Sequence, residues 1–200
     1  MKSFIQKYVQ LDSEQLNQVD SIMSTRYYKK NEIISFPDDI WTEYLYINRG
    51  IIRSYIINDE GKDFTRQFCF NNSQSKIGNL FPIDFKSLLT GTPSYCGFEV
   101  LEDSEVTVCS KKDIDRLDNE SQTWKNISNI MSNLAYVHTN EFTDAILTKS
   151  VKQRYIELRK DISMVIDKIP QYHIATFLGI TPVSLSRIRK ELNIKTNRRY

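Results

Sequence analysis

From Arg26 to Ser110 the chain consists of short runs rich in Ile, Val, Tyr, Phe and Thr, separated by polar turn clusters. Several short strands at such regular spacing predict an antiparallel β-sandwich or barrel. Residues 81–89 interrupt the strand pattern and predict a short helix. The predicted strands are EIISF, YLYINRG, IIRSYIIND, DFTRQFCF, YCGFEVLE and EVTVCS, with turns at 37–39, 48–50, 58–61 and 71–72.

Helical periodicity flanks this region on both sides. Residues 12–24 carry apolar residues at helical spacing and predict a short amphipathic helix that begins near Asp12 or Ser13. A small helix is predicted over 111–117. Residues 121–148 contain neither Pro nor Gly and predict one long helix. A further helix over 149–169 follows a bend at Lys149 and Ser150, which is a candidate hinge.

The long helix carries an apolar stripe at alternating three- and four-residue spacing, which is typical of a helix that packs against its own copy. We therefore predict a homodimer interface. The alternative is a helix that packs on its own domain. The stripe consists of Trp124, Ile127, Met131, Leu134 and His138, and is continued by Glu141 and Ala145.

The segment from Gln171 onward has the residue pattern of a helix-turn-helix. Ile174 and Leu178 fit buried positions of a first helix, and Ala175 is small where two helices cross. Gly179 suits a turn with positive φ. After it, Thr181 can cap a second helix whose first turn holds Pro182, with Leu185 and Ile188 inward. An ordinary helical hairpin is the alternative interpretation.

The outward face of the second helix predicts a DNA-reading surface. Arg187 fits a bidentate contact with guanine, and Val183 fits a contact with a thymine methyl. Thr181, Ser184 and Lys190 fit phosphate contacts that set the register. The full predicted set is Thr181, Pro182, Val183, Ser184, Ser186, Arg187 and Lys190, with nonspecific, salt-sensitive affinity added by Arg189, Lys195, Arg198 and Arg199.

The charge distribution also indicates that the binding surface lies at the C-terminal end of the chain. Residues 151–200 hold eleven Lys/Arg against four Asp/Glu, whereas residues 1–150 hold sixteen against twenty-one. A basic C-terminal quarter on an acidic body indicates a polyanionic partner for that quarter. A charged face that only contacts solvent gives the same pattern.

Other features exclude several classes of protein. No stretch of eighteen apolar residues and no secretory signal occurs, so we expect no membrane span and a cytoplasmic protein. Cys69, Cys96 and Cys109 are widely spaced and are expected to be buried, unpaired residues. With only His138 and His173 beside them, no metal site is expected. No catalytic set is visible, so we expect no enzyme.

In its order of elements the chain resembles the Crp/Fnr family of bacterial transcription regulators, over nearly its whole length. The resemblance is carried by LGITPVSLSRIRKEL (178–192), similar to Bacteroidetes-type members, and by INRGIIRSYI (47–56) and EVLEDSEVTVCSKKDI (99–114). It implies a cyclic-nucleotide-binding-like domain, a dimerisation helix and a winged helix-turn-helix, the wing lying around Ile169. It also implies homodimers that bind palindromic double-stranded operators and contact RNA polymerase.

The chain departs from the family's ligand cassette. Asp84 lies near the position of its glutamate, but Ser94 and Tyr95 occupy the place of its Arg-Ser/Thr pair. Without that arginine a cyclic phosphate loses its main contact, so we expect an effector other than cAMP, or none. The candidate pocket residues are Arg66, Phe68, Asp84, Phe85, Ser94 and Tyr95. Arg53 and Arg66 are otherwise expected to be surface residues. Where many relatives place a glutamate the chain has Val183, which predicts a different operator.

These inferences predict an α+β fold in three parts. Residues 1–120 form an N-terminal antiparallel β-sandwich or jelly roll, residues 121–148 a dimerisation helix, and residues 149–200 a winged helix-turn-helix. The predicted function is a dimeric transcription regulator with no resident cofactor. The alternative is a ligand-binding or protein-interaction module whose DNA-binding domain is vestigial.

Overall fold

The computed structural model describes residues 1–73 and 75–194. The strands are β1 (Ser24–Tyr28), β2 (Ile33–Ser35), β3 (Glu43–Ile57), β4 (Asp63–Phe70) and β5 (Gly97–Ser110). The helices up to residue 120 are α1 (Lys2–Ile5), α2 (Ser13–Ile22), α3 (Ile77–Leu80), α4 (Phe85–Thr90) and α5 (Lys111–Glu120). Beyond it lie α6 (Gln122–Thr148), α7 (Val151–Asp161), a 3₁₀ helix (Ile166–Lys168), α8 (Gln171–Phe177) and α9 (Pro182–Glu191). The predicted α+β fold class is confirmed.

The strands form an antiparallel sheet in the order β1-β5-β3-β4, with β2 also paired to β5. The predicted turn at residues 48–50 is wrong, because β3 runs through it as one long strand whose register with β5 shifts there. Gly50 has φ +101°, and a Cβ at this position would lie 2.2 Å from Ser104 Oγ. Glycine thus permits a close approach and a bulge where the sequence suggested a turn.

Alternate residues of β3 and β5 face two different hydrophobic cores. The inner core contains Ile47, Ile52, Val100 and Val106, each no more than 1% exposed. The predicted short helix within the sheet region is confirmed as α4, which begins after Asp84 and places Leu88 in this core. All three cysteines are free and buried, as predicted.

The N-terminal half of α6 packs on its own domain. Trp124 and Ile127 lie in a core with Val19 of α2 and Leu117 of α5. Trp124 Nε1–H also donates to Gln18 Oε1 at 2.9 Å. Trp124 and Ile127, predicted to contact a second copy, are thus covered by helices of their own chain.

The remainder of the predicted stripe also lies near the chain's own domain. Met131 packs against the same cores. His138 abuts α3, where a Cβ on Gly78 would lie 2.1 Å from its ring. Leu134 is half-buried.

The C-terminal helices share a second core with the outer face of the sheet. Tyr155 and Leu158 of α7, Ile174 of α8 and Leu185 of α9 meet Phe68 of β4 there. The predicted helix over 149–169 is shorter, since α7 ends at Asp161. The wing predicted around Ile169 is wrong for the described residues, because a 3₁₀ helix occupies 166–168 and no strand lies between 151 and 194.

Within the described part of the chain, no helix combines the length and the apolarity that crossing a membrane requires.

Candidate nucleic-acid interface

The helix-turn-helix geometry follows from its small and capping residues. Ala175 and Leu185 are both fully buried where α8 and α9 meet. Gly179 has φ +71°, in the left-handed region that favours glycine. Thr181 caps α9, its Oγ1 accepting from the Ser184 N–H at 3.2 Å, and Pro182 lies in the first turn. These four features match the sequence prediction.

The outward face of α9 is largely exposed to solvent. Val183 is 61% exposed, and Ser186, Arg187 and Lys190 are exposed as well. Thr181 and Pro182 are also exposed, whereas Ser184 is half-buried beside the Thr181 hydroxyl at 3.0 Å. The chain thus presents to solvent a helical surface that combines polar and basic side chains with the apolar Val183. Lys195, Arg198 and Arg199 lie outside the described residues.

The opposite helix, α8, is held against strand β4. Thr176 Oγ1 accepts from the Thr65 N–H at 3.2 Å and lies 3.1 Å from Thr65 Oγ1. The Phe177 ring packs 5.4 Å from Phe68 and 5.8 Å from Phe142 of α6, measured between centroids. These contacts tie the helix-turn-helix to both the sheet and the long helix, and sequence patterning did not reveal them.

A buried arginine lies under α8. Arg53, expected as a surface residue, is only 3% exposed and pairs with Asp63 and Glu99, each at 2.6 Å. Its Nη1 also donates to Thr65 Oγ1 at 3.3 Å. The two carboxylates compensate the buried positive charge, which would otherwise be costly.

His173 of α8 faces this arginine cluster. Burial lowers the pKa of His173, and the positive charge of Arg53 lowers it further, while Glu99 and Asp63 act in the opposite direction. The neutral imidazole is therefore favoured in the packed state.

The predicted effector pocket is divided between two places. Asp84 and Ser94 come together, with Ser94 Oγ donating to Asp84 Oδ2 at 2.8 Å. Phe85 packs beside them on the inner core, whereas the Tyr95 side chain is 69% exposed. Phe68 belongs to the outer core instead.

A β-bulge in β4 sets the position of Arg66. Arg66 is the extra residue of the bulge, since Ser54 pairs with Gln67 and Tyr55 pairs with Thr65. Its guanidinium reaches Cys96 Sγ at 3.6 Å. Arg66 and Phe68 nonetheless both line one cleft beside β4.

The Asp84 carboxylate already accepts four hydrogen bonds from its own chain and has no acceptor site left for the hydroxyl or amino group of a ligand. Its Oδ1 accepts from the backbone N–H groups of Lys86 and Ser87, and its Oδ2 accepts from Ser94 Oγ and the Tyr95 N–H. This carboxylate caps α4 and fixes the following loop. The role of Asp84 is therefore to hold this part of the fold together.

The thiols are poorly suited to metal binding or nucleophilic chemistry. Burial raises the pKa of Cys69 and Cys96, and it raises the pKa of Cys109 to about 12. Among residues 1–73 and 75–194, no group of three or more His, Cys, Asp or Glu side chains is arranged to hold a metal ion.

No family model and no curated protein matches the sequence. Solved structures do match the fold. FixK2 from Bradyrhizobium japonicum is 15% identical, with a TM-score of 0.69 over 86% of this chain and 85% of that one. A protein from Eubacterium rectale described as a member of the crp/fnr family is 19% identical, with a TM-score of 0.67 over 92% and 84%.

A third neighbour is the c-di-GMP responsive global regulator CLP from Xanthomonas campestris. It is 12% identical, with a TM-score of 0.64 over 91% of this chain and 92% of that one. Each of the three likenesses covers at least 86% of this chain. The chain therefore has the fold of the Crp/Fnr regulators.

Proposed function

We propose that the chain is a dimeric, sequence-specific DNA-binding transcription regulator and not an enzyme. The observation that carries the proposal is the exposed outer face of α9, mounted on a helix-turn-helix whose cap, turn and core residues are all in place. Arg187 reads a base edge, and Lys190 and the N-terminus of α9 hold phosphates.

The charge distribution supports DNA as the partner. The basic residues of the C-terminal quarter include Arg187 and Lys190, both exposed, whereas the rest of the chain carries more acidic than basic residues. This asymmetry orients the basic face toward a polyanion and keeps the acidic body away from it. In the three-part division, residues 149–200 bind DNA and residues 1–120 respond to signals.

A second face of α6 supports dimer formation. Ile130, Asn133, Val137 and Asn140 recur at three- and four-residue spacing on the side away from Trp124, and Leu147 follows seven residues later, past Asp144. Val137 is 52% exposed and Leu147 is 77% exposed. An apolar stripe with interspersed asparagines is typical of a two-helix seam in which polar positions fix the register. Two copies joined there place two α9 helices on one palindromic operator.

The dimer seam has a direct test. Val137→Glu places a charge in the seam and is expected to convert the dimer to a monomer in sedimentation experiments. Ser132→Glu, on another exposed face of α6, is the matched control and is expected to leave the dimer intact. Equal sedimentation of both variants and the parent would contradict the seam.

DNA binding is tested by enrichment from random duplexes followed by gel shifts at moderate salt. We expect one enriched sequence with two related half-sites. Recovery of no sequence above nonspecific binding, with or without cell extract, would reject the proposal. Unchanged cellular behaviour after deletion of residues 171–200 would instead favour a ligand-binding or protein-interaction module.

A further inference from the structure

A cleft of about 680 Å³ lies where the three parts of the chain meet. Its walls come from β4, from the C-terminal half of α6, and from α7 and α8, with Lys76 and Asn79 at one side. This volume is within the range of small-molecule sites. Of the residues predicted for the effector pocket, Arg66 and Phe68 line this cleft, whereas Asp84, Phe85, Ser94 and Tyr95 do not.

One wall of the cleft is aromatic. Phe68, Phe142 and Phe177 lie in one cluster, with ring centroids 5.4 and 5.8 Å from Phe177. Each of the three comes from a different part of the fold, and all three line the cleft. A flat apolar group seated there would contact the sheet, the long helix and the helix-turn-helix at once.

The opposite side of the cleft is charged. Lys76 pairs with Asp161 at 3.1 Å, and Lys149 pairs with Glu157 at 2.7 Å. Arg154 also lines the cleft and is half-buried. Its Nη2 donates to the Leu178 carbonyl at 3.3 Å, while its buried Nε has no hydrogen-bond partner among the described residues. Because Nε is shielded from solvent, an anion in the cleft would contact the terminal nitrogens of this half-buried guanidinium.

We propose that this junction cleft binds a small aromatic anion, a carboxylate or a phosphate ester, with its ring against the phenylalanines and its charge on Arg154. As an effector site the cleft rests on the proposed regulatory function. Its ligand would contact both the sheet domain and the helix-turn-helix. A bound ligand therefore stabilises one arrangement of the sheet domain relative to the helix-turn-helix. A ligand that favours one arrangement in this way can change the affinity for DNA.

The probes are naphthyl phosphate, naphthylacetate and the neutral naphthylethanol, titrated into the full chain and followed by ligand-observed NMR. Both anions share the required chemistry, and comparing them distinguishes a phosphate ligand from a carboxylate ligand. We expect saturable binding of at least one anion and binding of the alcohol that is about tenfold weaker or more.

Two variants locate the site. Arg154→Met removes the proposed charge partner, and Ala145→Phe fills the cleft without removing any charged side chain. Each is expected to weaken binding of the anion about tenfold or more. Lys152→Met, on the same helix but outside the cleft, is expected to bind like the parent. Circular dichroism verifies that each variant is folded. If Arg154→Met does not fold, the binding measured with Ala145→Phe decides whether the anion occupies the cleft.

Absence of saturable anion binding at millimolar concentration would overturn the proposal, as would unchanged binding to a folded Ala145→Phe variant. Gel shifts of the same proteins separate this proposal from the regulatory one. Lost anion binding with retained operator binding supports the cleft site. Failure of every protein to bind a specific duplex rejects the regulatory function, while the NMR titration still decides whether the cleft binds the anion.

Discussion

The two helices of the helix-turn-helix have opposite surroundings. α8 lies against β4, with Thr176 bonded to Thr65 and Phe177 packed on Phe68. α9 turns its outer face, including Val183 and Arg187, to solvent. The helix α8 therefore attaches the helix-turn-helix to the sheet, whereas α9 keeps its outer face exposed. If α9 binds DNA as proposed, changes in the sheet domain reach the DNA through α8.

The largest expected effect concerns the buried charge beneath α8. Arg53→Met leaves Asp63 and Glu99 without their cation, and we expect a loss of about 3–5 kcal/mol in the free energy of unfolding. Urea denaturation measures it. The control is Arg26→Met, which breaks an exposed pair with Glu43 and is expected to cost at most about 1 kcal/mol. Equal losses would show that the burial of Arg53 is energetically unimportant.

The next effect tests the core between the two helices. Leu185 is fully buried, so Leu185→Ala is expected to lower the free energy of unfolding by about 2–4 kcal/mol and to weaken DNA binding with it. Val183→Ala, two residues earlier on the exposed face, is expected to change stability by less than about 0.5 kcal/mol. If Val183→Ala destabilises the protein as much, the assignment of inner and outer faces of α9 is wrong.

A smaller effect isolates the attachment of α8 to the sheet. Thr176→Val leaves the Thr65 N–H without its acceptor, at an expected cost of about 1–2 kcal/mol. Hydrogen exchange is expected to rise in both α8 and β4. Ser186→Ala on α9 serves as the control and is expected to leave exchange in β4 unchanged. Unaltered exchange in Thr176→Val would mean that this bond does not hold the two parts together.

The smallest effect is a dependence of the protein's stability on pH, to which His173 of α8 contributes. Burial lowers the pKa of His173 and of His138 below the ordinary value of 6.5. The unfolded chain then binds protons that the folded chain does not. Their contribution to stability is complete above about pH 6.5 and decreases as the pH falls. The melting temperature is measured at about pH 8 and at about pH 5.5. The decrease between the two pH values is expected to be smaller in His173→Gln than in the parent. An identical or steeper fall would contradict the assignment.

Local sequence rules predicted what depends on local chemistry. Asp12 caps α2, Thr181 caps α9 and Gly179 has positive φ, because each of these features is determined by a few neighbouring residues. The long helix α6 was predicted from its uninterrupted periodicity. The boundaries proposed at 120 and 148 lie next to helix ends at Glu120 and Thr148.

The sequence did not reveal features that depend on distant pairing. The same heptad-like spacing fits a dimer seam or an internal face, and only the position of Trp124 beside α2 separates them. The bulge at Arg66 and the burial of Arg53 arise from strand register. The junction cleft joins residues from 66 to 177, so no short motif indicates it.

The exposed face of α9 is proposed to contact DNA bases. The affinities of Arg187→Ala and Lys190→Ala for the selected operator and for its single-base variants decide whether it does. Arg187→Ala is expected to lose about 1–3 kcal/mol and to discriminate less at one base pair per half-site. Lys190→Ala is expected to weaken binding to all sequences equally. Unchanged discrimination at every position in Arg187→Ala would contradict the account.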